Sequence, residues 1–136
     1  MPESQTHMML VKALVSWISK SLLKGDDGLM FIDRSTSSVV EKPPKIGRYI
    51  PDVFVPNGFK YQLIIGEAKT AKDLEKKHSI KQIKEFILKC NETENSIFIL
   101  AVPWYIVPLA KSISNEIVRA SNAINVKIKI LEKLPG

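Results

Sequence analysis

Apolar residues in the first part of the chain fall three and four positions apart. Leu10, Ala13, Leu14, Trp17, Ile18 and Leu22 make one stripe, which predicts a helix over residues 6–24. Thr6 can cap its start and Gly25 can end it. Leu29, Met30, Phe31 and Ile32 then run without a polar break and predict a short strand over residues 28–34. Residues 34–48 lose all period. They hold Ser and Thr residues, Val39-Val40 and the pair Pro43-Pro44, which excludes a regular helix. A loop of this length in a small domain is often functional.

A hairpin is expected next, with strands over 49–55 and 59–69 around Pro56-Asn57-Gly58. Leu63, Ile64 and Ile65 suit a strand covered on both faces. Ile80, Ile83, Phe86, Ile87 and Cys90 form the stripe of a helix over 76–91. An apolar strand follows at 96–102. A helix opened by Pro108 covers 108–121, and a half-exposed strand covers 126–131, where Val, Lys and Ile alternate. The order predicts an α/β fold. Its mixed sheet is antiparallel at the start and parallel after the helical crossovers, with helices on its faces.

Composition narrows this to one domain spanning residues 1–136, with 45% hydrophobic residues to build a core. The apolar runs near 8–23 and 97–105 are broken or short against the roughly 20 residues of a membrane span. Residues 1–7 lack the basic start of a signal peptide, and the single Cys90 forms no internal disulfide. An intracellular protein is expected. The net charge of +6 suits a polyanionic partner such as nucleic acid.

The candidate chemistry lies in Pro51-Asp52 and Glu67-Ala68-Lys69. Strand alternation puts Glu67 and Lys69 on one face of their strand. Asp52 lies on the adjoining strand, within reach of the same ion. Two carboxylates suit a hard divalent cation such as Mg²⁺. Such a cation acidifies water and polarises a phosphate, and an ammonium beside it stabilises developing charge. The Ala68 carbonyl could add an uncharged oxygen. An ordinary ion pair between Glu67 and Lys69 is the plainer alternative. It weakens because Leu63-Ile64-Ile65-Gly66 just before reads as buried, and a buried charge needs a partner.

This set resembles the PD-(D/E)xK, or restriction-endonuclease-like, nuclease superfamily. Asp52 follows Pro51, fourteen residues intervene, and Glu67-Ala68-Lys69 follows an apolar run. The predicted order over about residues 6–102 is similar to the αβββαβ core of that superfamily. Its small resolvase-like and repair-type members look closest. The resemblance implies a Mg²⁺- or Mn²⁺-dependent phosphodiesterase. Asp52, Glu67 and the Ala68 carbonyl would hold the metal, Lys69 would assist the nucleophile, and Gln82 on the following helix would support them. Many such relatives place a Glu on the first helix as a further ligand. Here no acidic residue lies between Thr6 and Lys24.

DNA is the expected partner. Lys45, Arg48, Lys72, Lys76, His78 and Lys81 are candidate contacts, though a lysine run is also an ordinary solvated face. Trp104 and Tyr105 are expected in the core or an interface, and Cys90 in the core. With no added domain for reading sequence, the nuclease would recognise DNA structure, or borrow specificity from a partner protein. A homodimer would provide two sites for two strands. The alternative is a nuclease fold without activity, serving as a nucleic-acid-binding or scaffold protein.

Overall fold

The computed structural model describes residues 4–33 and 42–135. The first apolar stripe folds as α1 (Gln5–Leu22) and buries Leu10, Leu14, Ile18 and Leu22. Its cap is Ser4 rather than Thr6: the Ser4 hydroxyl accepts the His7 backbone N–H at 3.1 Å. Lys24 and Gly25 then take left-handed conformations, φ 53° and 83°, and turn the chain away.

The strand expected over 28–34 is only partly formed. Asp26 accepts the Gly28 N–H and starts a 3-10 turn, Asp27–Leu29, which leaves β1 as Phe31–Ile32. Residues 34–41 of the expected loop lie outside the described residues. Its remainder has no regular element, but Ile46 and Tyr49 exchange backbone bonds of 2.7 and 3.1 Å around Gly47. This bridge takes up Tyr49, so β2 is Val53–Pro56 and begins later than expected.

β3 is Leu63–Ala68, also shorter than expected, and pairs with β2 from Val53↔Gly66 to Pro56↔Leu63. The tight Asn-Gly turn is not formed. Residues 57–62 make a wider loop, closed by a 2.7 Å bond from Asn57 N–H to the Gln62 carbonyl. Asn57 has positive φ (59°). Burial of Tyr61 and a 2.9 Å bond from Gln62 N–H to the Asn95 carbonyl hold this segment away from the hairpin ladder.

A short helix that the sequence pattern did not announce, α2 (Ala71–Leu74), follows β3, started by a reciprocal Thr70–Asp73 capping box. α3 (Lys77–Asn91) buries Ile83, Phe86, Ile87 and Cys90, while Ile80 stays exposed. β4 (Ser96–Pro103), a 3-10 turn (Trp104–Ile106), α4 (Val107–Ser121) and β5 (Val126–Lys133) complete the chain.

The sheet order is β1-β2-β3-β4-β5. The first two junctions are antiparallel and the last two parallel, in the expected α/β arrangement. α1 covers one face, packing on Val53, Val55, Ile64, Ala68 and Ile99. α3 and α4 cover the other, over Leu63, Ile65, Phe98 and Leu100. Each fully buried Leu or Ile in these layers contributes about 1.5–3 kcal/mol. Gly66 faces α1, and a Cβ there would come within 3.1 Å of the Leu14 methyls and 3.2 Å of Ile18. Its bare backbone lets α1 close on the sheet, and Glu67 therefore points toward α3. Among the described residues no helix is long and apolar enough to cross a membrane.

Candidate active site

Alternation along β3 sets Leu63, Ile65 and Glu67 on the α3 face, and Lys69 continues the series one step beyond the strand. The Lys69 backbone N–H donates to the Ala101 carbonyl at 3.0 Å, which ties this end of the chain to β4. Asp52, Glu67 and Lys69 are buried, with relative exposures of 8, 4 and 7%. This excludes the reading of Glu67 and Lys69 as a surface pair.

The backbone ladder of β2 and β3 ends at Val53↔Gly66. One step further, side chains join the strands. The Asp52 N–H donates to Glu67 Oε1 at 3.0 Å, and the Ala68 N–H donates to Asp52 Oδ2 at 2.8 Å. The two carboxylates are thus opposite one another, each anchored to the neighbouring strand. The ammonium of Lys69 lies 3.2 Å from Glu67 Oε2 and also donates to Gln82 Oε1 on α3. Gln82 therefore meets the cluster through the lysine.

Two further residues approach Asp52. His7 Nε2, from the first turn of α1, lies 3.6 Å from Asp52 Oδ2. The Asp33 N–H, just after β1, donates to the Asp52 carbonyl at 2.9 Å.

Burial pushes the Glu67 carboxyl well above its usual 4.5, and the adjacent Asp52 charge pushes it further. Lys69 opposes both. Burial and Asp52 also raise the Asp33 carboxyl, against the pull of Lys42. Asp73 goes the other way: burial raises it, but hydrogen bonds from Thr70 and the charges of Lys69 and Lys76 outweigh that and leave it lowered.

Two carboxyls thus meet one lysine, and burial and the neighbouring Asp52 make the charged form of Glu67 costly. Carboxylate oxygens are the donors a hard divalent ion takes. Ala68 meets the cluster through its amide, with its side chain in the core beneath α1. Among the described residues, no three or more His, Cys, Asp and Glu side chains are already gathered as a metal cage.

Asp52, Glu67, Lys69 and Gln82 are thus brought together. The candidate DNA contacts are not part of that cluster. Lys45, Arg48, Lys72, Lys76, His78 and Lys81 are exposed on the 42–49 segment, α2 and the start of α3. His78 lies edge-on to Tyr49, with ring centres 6.4 Å apart, so the basic segment packs beside α3. Lys45 lines a half-open depression of about 210 Å³ with Gly47, Glu85, Lys89 and Glu92, and this depression shares no residue with the carboxylates.

Trp104 and Tyr105 were expected in a core or interface. They lie 49 and 58% exposed, outside the core, and pack edge-to-face on each other at 5.7 Å. The 3-10 turn carries them past the end of β4, beyond the cover of the helices.

Sequence reasoning missed His7 and Asp33. His7 had a legible signal: it lies one turn before Leu10 on the buried stripe, where a polar side chain is out of place. Asp33 closes the Leu29–Ile32 run, and its approach to Asp52 follows only from β1–β2 pairing.

Comparison with known proteins gives no match: no family model fits the chain, and neither curated proteins nor solved structures match it.

Proposed function

We propose that this chain is a metal-dependent nuclease of the PD-(D/E)xK type, hydrolysing phosphodiester bonds in DNA. The observation that carries the reading is the buried meeting of Asp52, Glu67 and Lys69 at the ends of two neighbouring strands. Isolated charges are not kept buried in a core without partners or purpose.

Asp52 and Glu67 would hold a Mg²⁺ or Mn²⁺ ion, with the Ala68 carbonyl as a further oxygen donor. When bound, such an ion acidifies water and draws charge from the phosphate. Lys69 places an ammonium beside Glu67, where it stabilises charge developing on the phosphate or orients the attacking water. Gln82 accepts from that ammonium and fixes its direction, which makes it a positioning residue. Asp52 receives the Ala68 N–H and keeps its carboxylate turned toward Glu67. The exposed basic residues on the 42–49 segment and α3 would hold the DNA backbone beside the site. Substrate choice would rest on DNA structure or on a partner protein, and a homodimer would pair two sites.

One observation favours a second reading, a nuclease fold retained for binding alone: α1 brings a histidine, not a carboxylate, to Asp52. Incubation with supercoiled plasmid and branched DNA separates the two. Cleavage that needs Mg²⁺ or Mn²⁺, stops with chelator and is lost in Asp52→Ala while DNA binding persists supports the nuclease. Binding by clean wild-type protein without cleavage supports the scaffold.

A further inference from the structure

We propose that a second surface, on the α1 side of the sheet at its β5 edge, seats the phosphate backbone of a nucleic-acid duplex away from the carboxylates. It goes beyond the nuclease reading and does not rest on it. A closed circuit of contacts defines the surface. The Lys129 ammonium lies 5.4 Å from the centre of the Trp17 ring on α1. Just past the end of the same helix, Lys24 lies 5.8 Å from Phe59. Phe59 begins the run Phe59-Lys60-Tyr61, and the Lys60 and Lys127 ammonium groups lie 5.7 and 5.9 Å from the Tyr61 ring. Lys127 and Lys129 share one face of β5, which returns the circuit to Trp17. Every ammonium–ring contact among the described residues falls on this circuit.

The four lysines are exposed, and none makes an ion pair with a carboxylate among the described residues. Asp26 and Asp27, next along the chain from Lys24, accept from the Gly28 N–H and the Ser19 hydroxyl instead. Glu132 falls on the other face of β5. Two ammonium groups held against the one Tyr61 ring repel each other, and an anion between them relieves that repulsion.

The partner follows from charge and shape. Duplex DNA carries one charge per roughly 1.7 Å of its axis, so one continuous partner offers a phosphate to every lysine of the circuit. A lipid surface would take protruding rings. Here Tyr61 is buried and Trp17 half-buried under their lysines, and only Phe59 of the three is exposed. Covered rings also give unpaired bases no platform, which favours duplex over single strand and a contact that ignores sequence. Tyr61 precedes Glu67 by six residues, about 20 Å of extended chain. Glu67 points toward α3, whereas Trp17 and Tyr61 pack with the α1 side. A duplex on this surface is therefore a different segment from any DNA at the carboxylates.

The test is binding of a labelled duplex by the full chain in chelator, followed by fluorescence anisotropy over a range of salt. Lys127→Gln/Lys129→Gln should lower affinity at least about tenfold at low salt and reduce the slope of log affinity against log salt by about two. The same charge change at Lys12 and Lys111, which are exposed elsewhere, should alter affinity less than about threefold. Lys127→Arg/Lys129→Arg should bind like wild type, with melting curves checking each fold. Single-stranded DNA of the same length should bind wild type more weakly. Equal losses in the two glutamine pairs would reduce the effect to net charge and overturn the surface. Tighter binding of anionic vesicles or polyglutamate than of duplex would overturn it too, in favour of a membrane or an acidic protein. A chain that shows the expected pattern but never cuts DNA keeps this surface and loses the nuclease reading.

Discussion

Two buried polar clusters sit at opposite ends of the central strands, and they are built differently. At the start of β4, Ser96 Oγ lies 2.6 Å from the Cys90 carbonyl and 3.1 Å from that of Asn125. The Asn125 backbone N–H and side-chain amide bond to Asn91 at 2.9 and 3.0 Å. These groups are neutral amides, hydroxyls and carbonyls that complement one another. Beside them, burial pushes the Cys90 thiol up to about 12, so it too stays neutral. This cluster joins the end of α3 to the starts of β4 and β5. At the other end of β3, Asp52 and Glu67 face one lysine, and Glu67 is pushed up by burial and by its neighbour. One cluster pairs neutral groups, and the other sets two buried carboxyls against each other beside one lysine. A fold that needed only adhesion there would be served by apolar side chains, which are often as stable as a buried ion pair or more so. The contrast sets a structural seam against the cluster proposed to carry chemistry.

The largest way to break this contrast is to remove the lysine. Lys69→Met should lower DNA cleavage by about 10²–10³-fold in single-turnover assays while DNA binding is retained. Cleavage within a few fold of wild type would take the ammonium out of the mechanism. At the opposite seam, Ser96→Ala should cost about 1–3 kcal/mol in urea unfolding. Its cleavage rate should be unchanged, and a lost rate would show that the two ends are coupled. A smaller effect should come from Gln82→Leu, which frees the ammonium without removing it and slows cleavage by roughly tenfold to a hundredfold.

The smallest effect is in pH dependence. Glu67 has a folded-state value raised above its unfolded one. Its contribution is therefore fully favourable below about pH 4.5 and is lost as pH rises toward the higher folded value. Wild-type melting temperature should accordingly decline over that window more steeply than that of Glu67→Gln. Equal slopes would mean that Glu67 is not perturbed.

Much of this arrangement was legible in the chain. The stripes of α1 and α3, the apolar runs of β3 and β4, and the Asp52 and Glu67-x-Lys69 spacing placed Glu67 on its strand, while Asp52 and Lys69 lie one residue outside the strands expected to carry them. Short-range chemistry misled at Asn57-Gly58, where pairing of Gln62 with Asn95 and burial of Tyr61 override the local turn preference. α2 was missed because its signal is a four-residue capping box, Thr70 to Asp73, with no apolar stripe. His7 shows in the sequence only as a polar residue on the α1 stripe, and the approach of His7 and Asp33 to Asp52 follows from the packing of α1, β1 and β2. Trp104 and Tyr105 look like core by composition, and only the end of β4 decides that they face solvent.

The central claim is tested most directly by Glu67→Gln, followed by thermal melting at neutral pH and by DNA cleavage in the same preparation. The amide can still accept the Asp52 N–H, and the costly buried charge beside Asp52 is gone. The variant should melt a few degrees above wild type without added metal, should gain little from Mn²⁺ or Mg²⁺ that stabilises wild type, and should not cut DNA. A variant that melts below wild type and still cleaves would contradict the account.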